Sequence, residues 1–256
     1  MKITTICIII SIFFITSSYA QQFISKAVIE YEVVSNIQKT TASFSWLQDL
    51  KDKLPTFKTA YYKFTFADDR SIYKFDRWDE QSRKIPDFWK KGDEENVWFS
   101  DYKTGKLNMQ KNIWGSDVSV EDSIRKLQWK ITNENRIIAG FNCRKAVAIM
   151  FDSVYVFAFY TDEILIPGGP CSINGLPGMI MGVTIPRLYT SWIATKVMVT
   201  GVNESEIKPV YAKKSVTLEN LKSTIIDHTK DWYDDDETIN KEIQQQKVRT
   251  LWGTML

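Results

Sequence analysis

Apolar side chains in this chain recur at every second residue in one short segment after another, which puts alternate side chains on opposite faces of an extended backbone. Segments of this kind are strands with one face on a core. Residues 26–34 show the pattern first, with Ala27, Ile29, Tyr31 and Val33 interleaved with Glu30 and Glu32. Tyr62, Phe64 and Phe66 repeat it, Asp68-Asp69 interrupts, and residues 72–78 resume it, which predicts an antiparallel hairpin. Residues 97–102 and 107–113 flank Lys103-Thr104-Gly105-Lys106 as a second hairpin. Residues 129–138, 144–151 and 154–160 read as three more strands, the last two turned by Asp152-Ser153, and residues 192–200 as another. Two segments break the rhythm. Residues 83–95, charged and carrying Pro86 and Gly92, read as a loop, and residues 44–54 as a short helix or lid stopped by Pro55.

The carboxyl region changes period. Leu218, Leu221, Ile225 and Ile226 recur at helical spacing, residues 238–251 are rich in helix formers, and Asp234-Asp235-Asp236 between them reads as a solvated acidic break. The expected class is mainly β (β-rich α+β), a curved antiparallel sheet or half-barrel with peripheral helices and a carboxyl-terminal helical segment. The expected division is a signal peptide at residues 1–20, the β domain at 21–213 and the helical or partly ordered segment at 214–256.

At the amino end Lys2 precedes the apolar residues 6–15, and Ser18-Tyr19-Ala20 supplies small residues suited to a signal peptidase. Cleavage after Ala20 is expected. The apolar run is too short to remain as a membrane span, so the mature chain reads as exported to the periplasm or beyond the cell, soluble or peripheral to a membrane. Cys7 lies inside the run and Gln21 follows the cleavage point, which argues against a lipid anchor on a mature cysteine. Thirty-three basic residues against 31 acidic ones leave a net charge of +2, so no broad basic field favours nucleic acid. Nine Trp, 11 Tyr and 14 Phe suit broad sheet faces or an apolar groove.

Gly175-Leu176-Pro177-Gly178 reads as a tight turn that aims the strand after it, because the glycines tolerate positive φ and Pro177 fixes its own. In that strand Met179, Met181, Val183 and Ile185 share one face, while Ile180, Gly182 and Thr184 share the other. Cys143 and Cys171 are the cysteines left after cleavage, and either a disulfide between them or two separately buried thiols suits an exported chain.

Catalytic patterns are sparse. The single histidine, His228, sits in the helical segment beside Asp227, no Gly-x-Ser-x-Gly elbow occurs, and adjacent Asp162 and Glu163 face opposite sides of a strand. No catalytic residue is assigned, and an enzyme would need a pocket that gathers Asp162, Glu163, Arg187 or His228. Cys143, Cys171, Met179 and Met181 are soft ligands of the kind Cu(I) prefers, yet the methionines continue into Val183 and Ile185 as an apolar stripe. No metal and no cofactor are expected.

The wording Gly140-Phe141-Asn142-Cys143-Arg144-Lys145-Ala146, then Ala158-Phe159-Tyr160-Thr161-Asp162-Glu163-Ile164, then Gly169-Pro170 and Gly175-Leu176-Pro177-Gly178-Met179-Ile180, resembles the GLPGLI family of exported Bacteroidetes proteins. Met179 stands where the family name has Leu. The likeness covers about sixty residues, 140–196, and implies an envelope or secreted protein with a curved sheet similar in outline to periplasmic lipoprotein carriers. It implies no activity and transfers no functional residue.

These readings converge on an exported, non-catalytic binder. Its concave face, lined by Leu176, Met179, Met181, Val183 and Ile185 beside the turn shaped by Gly175, Pro177 and Gly178, would take an apolar ligand or a lipidated partner. One alternative is a structural or assembly partner of an outer-membrane complex, docking through a sheet edge or the charged segment 228–249. A further alternative is an uncharacterised enzyme or copper-binding protein.

Overall fold

The computed structural model describes residues 24–40, 54–151, 153–210, 214–230 and 237–256. The expected signal peptide, most of the helix-or-lid segment, Asp152 and the acidic triplet at 234–236 lie outside the described residues.

Alternation carries most of the chain into one sheet. Its strands are β1 (Lys26–Asn36), β2 (Phe57–Ala67), β3 (Arg70–Trp78), β4 (Val97–Asp101), β5 (Lys106–Ile113) and β6 (Ser116–Ser123). They continue with β7 (Lys130–Ile138), β8 (Phe141–Met150), β9 (Val154–Thr161), β10 (Met179–Ile185), β11 (Thr190–Met198) and β12 (Ser215–Val216). The order β12-β6-β5-β4-β3-β2-β1-β11-β10-β9-β8-β7 is two meanders fused where β1 pairs with β11. Neighbours are antiparallel except β12, which lies parallel to β6. Among the described residues, helices α1 (Ile37–Thr40), α2 (Asp87–Glu95), α3 (Leu218–Thr229) and α4 (Glu237–Met255) complete the mainly β fold that the sequence implies. Among the described residues, no helix is long and apolar enough to cross a membrane.

One face of the sheet is the core. Ala27, Ile29, Tyr31 and Val33 of β1 are buried, as are Ala60, Tyr62, Phe64 and Phe66 of β2. On the opposite face Arg77 donates to Glu30 at 2.7 Å and lies over the Tyr61 ring at 4.1 Å, a solvated pairing that contributes at most about 1 kcal/mol. Ala67, Ile72, Phe99 and Ile207 form a small second apolar cluster.

Residues 162–178 belong to no helix or strand, yet they are as buried as the sheet. Ile164, Ile173 and Leu176 are at most 2% exposed and belong to the main core. The loop behaves as an extra strand: Met179 N–H donates to Ile164 O and Ile180 N–H to Gly168 O, both at 2.9 Å. A bulge at Met181 shifts the β9–β10 register, and the Tyr31 hydroxyl donates to the Ile180 carbonyl. Gly178 makes the return possible. Its φ is +150°, and a Cβ there would stand 2.1 Å from the Thr161 carbonyl oxygen.

One expectation is corrected, and three details went unread in the sequence. Residues 83–95 are not a loop: a 3-10 turn (Ser82–Lys84) leads into α2, with Pro86 at its N-cap. Proline is tolerated at a helix start because the first N–H groups have no partner inside the helix. Strand β6 was hidden because only Val118 and Val120 stand out in SDVSVEDS. On α3 the buried stripe is Leu218, Leu221, Ile225 and Thr229, and Ile226 is 47% exposed. The carboxyl segment also shares the core of the β domain, since Leu218, Leu221, Ile225, Trp252, Met255 and Leu256 all join it.

Gly178→Ala is expected to lose about 3 kcal/mol or more, because the new methyl collides with backbone that cannot move without opening the β9–β10 pairing. Gly140→Ala, where φ is +88° but a Cβ would meet nothing within 4 Å, should lose only about 1 kcal/mol. Urea unfolding of the two variants measures the difference; equal losses would contradict this account of the turn.

Candidate functional site

The concave face is not completely filled. A pocket of about 340 Å³ opens between the β11-β1-β2-β3-β4-β5 part of the sheet and helices α2 and α4. Its floor is aromatic: Tyr62 stacks on Tyr73 with centroids 5.0 Å apart, and Tyr73 meets Trp98 at 5.4 Å. Pairing produces this cluster, because Tyr73 on β3 is the register partner of Trp98 on β4. Val33 and its partner Trp192 extend the floor towards β11. Trp89 and Asp93 of α2 form one wall, and Gln246, Arg249, Thr250 and Gly253 of α4 form another.

Four charged side chains line the space. Asp93 accepts the Tyr62 hydroxyl at 2.9 Å and pairs with Lys58. Arg249 is held at the rim by the carbonyls of Arg187 and Lys39, at 3.2 and 3.3 Å, and lies over Tyr189 at 4.9 Å. Lys111 differs from both. It is 3% exposed, follows Leu107 and Met109 on the inward face of β5, and donates to the Thr254 carbonyl at 2.8 Å. Its ammonium stands 5.0 Å from the Trp98 ring centroid, where the negative π face attracts it. Burial lowers its pKa from 10.5 to about 8, against the opposing pull of the Asp93 carboxylate.

The neutral groups are neutral because they are buried. Tyr62 and Tyr73 have pKa values raised well above 10, chiefly by desolvation, and the Cys171 thiol is pushed up to about 12. The Tyr73 hydroxyl is buried without a hydrogen-bond partner; the Trp192 indole biases its titration without meeting hydrogen-bond geometry. Trp98 Nε1 donates to the Leu256 carbonyl at 2.7 Å, which ties the end of α4 to the floor.

The residues expected to line a site lie elsewhere. Leu176, Met179, Met181, Val183 and Ile185 are at most 2% exposed, all in the main core, and none borders the pocket. Gly175, Pro177 and Gly178 shape that inner loop. Cys171 alone reaches the pocket wall, Cys143 is buried in β8 with its thiol raised to about 11, and both are free, so the disulfide alternative is not the one adopted. Asp162, Glu163, Arg187 and His228 do not converge: Glu163 accepts the Asn142 N–H at 3.3 Å, Arg187 lies over Trp252 at 5.7 Å, and His228 stacks on Trp114 at 4.9 Å. Among the described residues, no cluster of three His, Cys, Asp or Glu side chains could hold a metal ion. Sequence reading missed Lys111 and Asp93. A lysine in phase with Leu107 and Met109 was the available signal.

Both cysteines should resist a thiol reagent in the folded protein near pH 8 and react after unfolding in guanidinium without reductant; absence of thiols after unfolding would reveal a bridge. Lys111 sets a pH dependence with a definite sign. Its folded pKa of about 8 is below its unfolded value, so the unfolded chain holds more protons between about pH 8 and 10.5, and stability rises with pH there. The stability of the native sequence relative to Lys111→Met should therefore climb by up to about 3 kcal/mol across that window, measured by urea unfolding at each pH. A flat difference would mean that the ammonium is solvated.

Comparison with known proteins places this geometry in a family. A profile described as the N-glycanase peptide, N-terminal domain, matches residues 91–229, from within α2 to the end of α3. The solved structure of PNGF-II in a P21 crystal form is similar with a TM-score of 0.50 at 15% identity, over 78% of this chain and 32% of that one. The same protein in a C2 form gives 0.48 at 14% identity, over 86% and 33%. This chain thus spans about a third of the length of the solved structures it matches, and the P21 likeness bears on fold alone. No curated protein matches. Since the profile covers more than half of the 256 residues, the chain belongs to the N-glycanase peptide, N-terminal domain family.

Proposed function

We propose that this chain is a non-catalytic binding domain whose pocket between the sheet and α4 holds a largely apolar ligand. The observation that carries this reading is an aromatic-floored space of about 340 Å³ left open between the sheet and helices α2 and α4. Pockets of this volume and lining suit small ligands with an apolar body and one or two polar groups. The binder differs from the one the sequence suggests: its floor is Tyr62, Tyr73, Trp98 and Trp192, not the methionine stripe. Export to the periplasm or cell exterior belongs to the same reading, supported by the amino-terminal pattern and by the GLPGLI-like wording on β8 to β11.

A second reading follows from the family description. A domain that accompanies an N-glycanase could present the same aromatic rings to a sugar, since indole and phenol faces stack on apolar faces of either kind. Competition between a fluorescent fatty acid and an N-glycan separates the two.

Gly253 offers the test that disturbs the fold least. It faces the pocket from α4, and a Cβ there would meet nothing within 4 Å. Gly253→Phe should leave the fold intact, raise the helix propensity of α4 and weaken binding of the fluorescent fatty acid at least tenfold, read by tryptophan quenching. Unchanged affinity would move the ligand out of this pocket.

A further inference from the structure

We propose that the ligand of this pocket is a monocarboxylate amphiphile whose head group sits between the Lys111 ammonium and the Tyr73 hydroxyl. The inference rests on the pocket being a ligand site and adds the charge of the ligand. Three cations and one carboxylate border the pocket, and the carboxylate is already taken: Asp93 pairs with Lys58 and accepts the Tyr62 hydroxyl. Arg249 is engaged by two main-chain carbonyls and by Gln246 Oε1. Among the described residues neither Lys111 nor Arg249 has an anion, and Lys111 has the fewer hydrogen bonds. It donates one, to a backbone carbonyl, although an ammonium has three N–H groups to offer.

Tyr73 supplies the second donor. Tyr73 borders the pocket, is 1% exposed, and its hydroxyl is buried with no hydrogen-bond partner, which costs about 1–3 kcal/mol. Lys111 and Tyr73 flank the same Trp98 ring, with the ammonium 5.0 Å and the Tyr73 centroid 5.4 Å from its centroid. A planar carboxylate has two oxygens, one for the ammonium and one for the hydroxyl, and would satisfy both groups at once. Val33, Leu188 and Trp192 offer an apolar surface for the chain that follows the head group. Cys171 beside them stays a neutral thiol and adds no competing charge near neutral pH.

Decanoate and decan-1-ol, which share a chain and differ in the head group, test the proposal by calorimetry and tryptophan quenching near pH 7. The native sequence should bind decanoate at least tenfold more tightly than decanol. Lys111→Met should erase that preference while keeping decanol binding, and Tyr73→Phe, which removes only the hydroxyl, should weaken decanoate about threefold to tenfold without affecting decanol. Raising the pH above 9 should weaken decanoate in the unmodified protein, an arm that needs no variant to fold. Equal binding of both probes overturns the carboxylate inference and leaves the pocket reading standing. Binding of neither, or binding that Gly253→Phe does not impair, removes the pocket reading and the inference with it.

Discussion

A sheet of twelve strands that is apolar on one face must cover that face with its own chain, and the rest of this molecule follows from how the cover is made. Two helices and a long inner loop provide it. Residues 162–178 can lie directly on the strands because glycine permits contact that a side chain would forbid: a Cβ at Gly169 would stand 2.8 Å from the Ile180 Cβ, and one at Gly178 would strike the Thr161 carbonyl. Backbone at that depth needs partners, and it finds them in the hydrogen bonds to Met179 and Ile180. The turn that dominates the sequence is therefore a device for closing the interior, which is why the apolar stripe after it has no exposed face.

The cover is incomplete where polar groups stand in its way. Lys111 and Asp93 line the open space between α2, α4 and the strands, and burying a charge such as that of Lys111 costs several kcal/mol unless pairing offsets it. Asp93 is offset by Lys58 and Tyr62, whereas Lys111 gains a single carbonyl and an indole face. The end of α4 is fixed to that same region by Trp98 through Leu256 and by Lys111 through Thr254. The Lys111 ammonium thus holds the helix end at the edge of the open space.

Strands were legible wherever one face is wet. Glu30 and Glu32 in β1 and Lys63 in β2 mark outer positions clearly enough that the inner ones could be named from the sequence, and the hairpin turns at Asp68-Asp69 and Thr104-Gly105 gave the antiparallel order. The reading failed where both faces are covered or both are polar. β10 is buried on both sides except at Thr184, so assigning Met179 and Met181 to an open face followed from a wet side that the strand lacks. β6 carries too few apolar residues to show its period, and α2 was masked by a proline and a glycine that are both compatible with its place, Pro86 at the helix start and Gly92 beside the Asn112 carbonyl. Pocket formation depended on contacts between elements far apart in sequence, such as Lys111 with Thr254, which no local pattern encodes.

The protonation states of the pocket favour recognition over reaction. A nucleophile or general base must reach its reactive form near neutral pH, and here burial holds Tyr62, Tyr73 and Cys171 in their protonated forms. Lys111, lowered to about 8, is the group nearest to a useful titration, but its ammonium is anchored to a main-chain carbonyl and the pocket's one carboxylate is committed to Lys58 and Tyr62. A buried ammonium and an unmet hydroxyl around one Trp98 ring, in an aromatic-floored pocket, are by contrast placed in advance for an acidic head group, and such preorganisation is what keeps the cost of binding small.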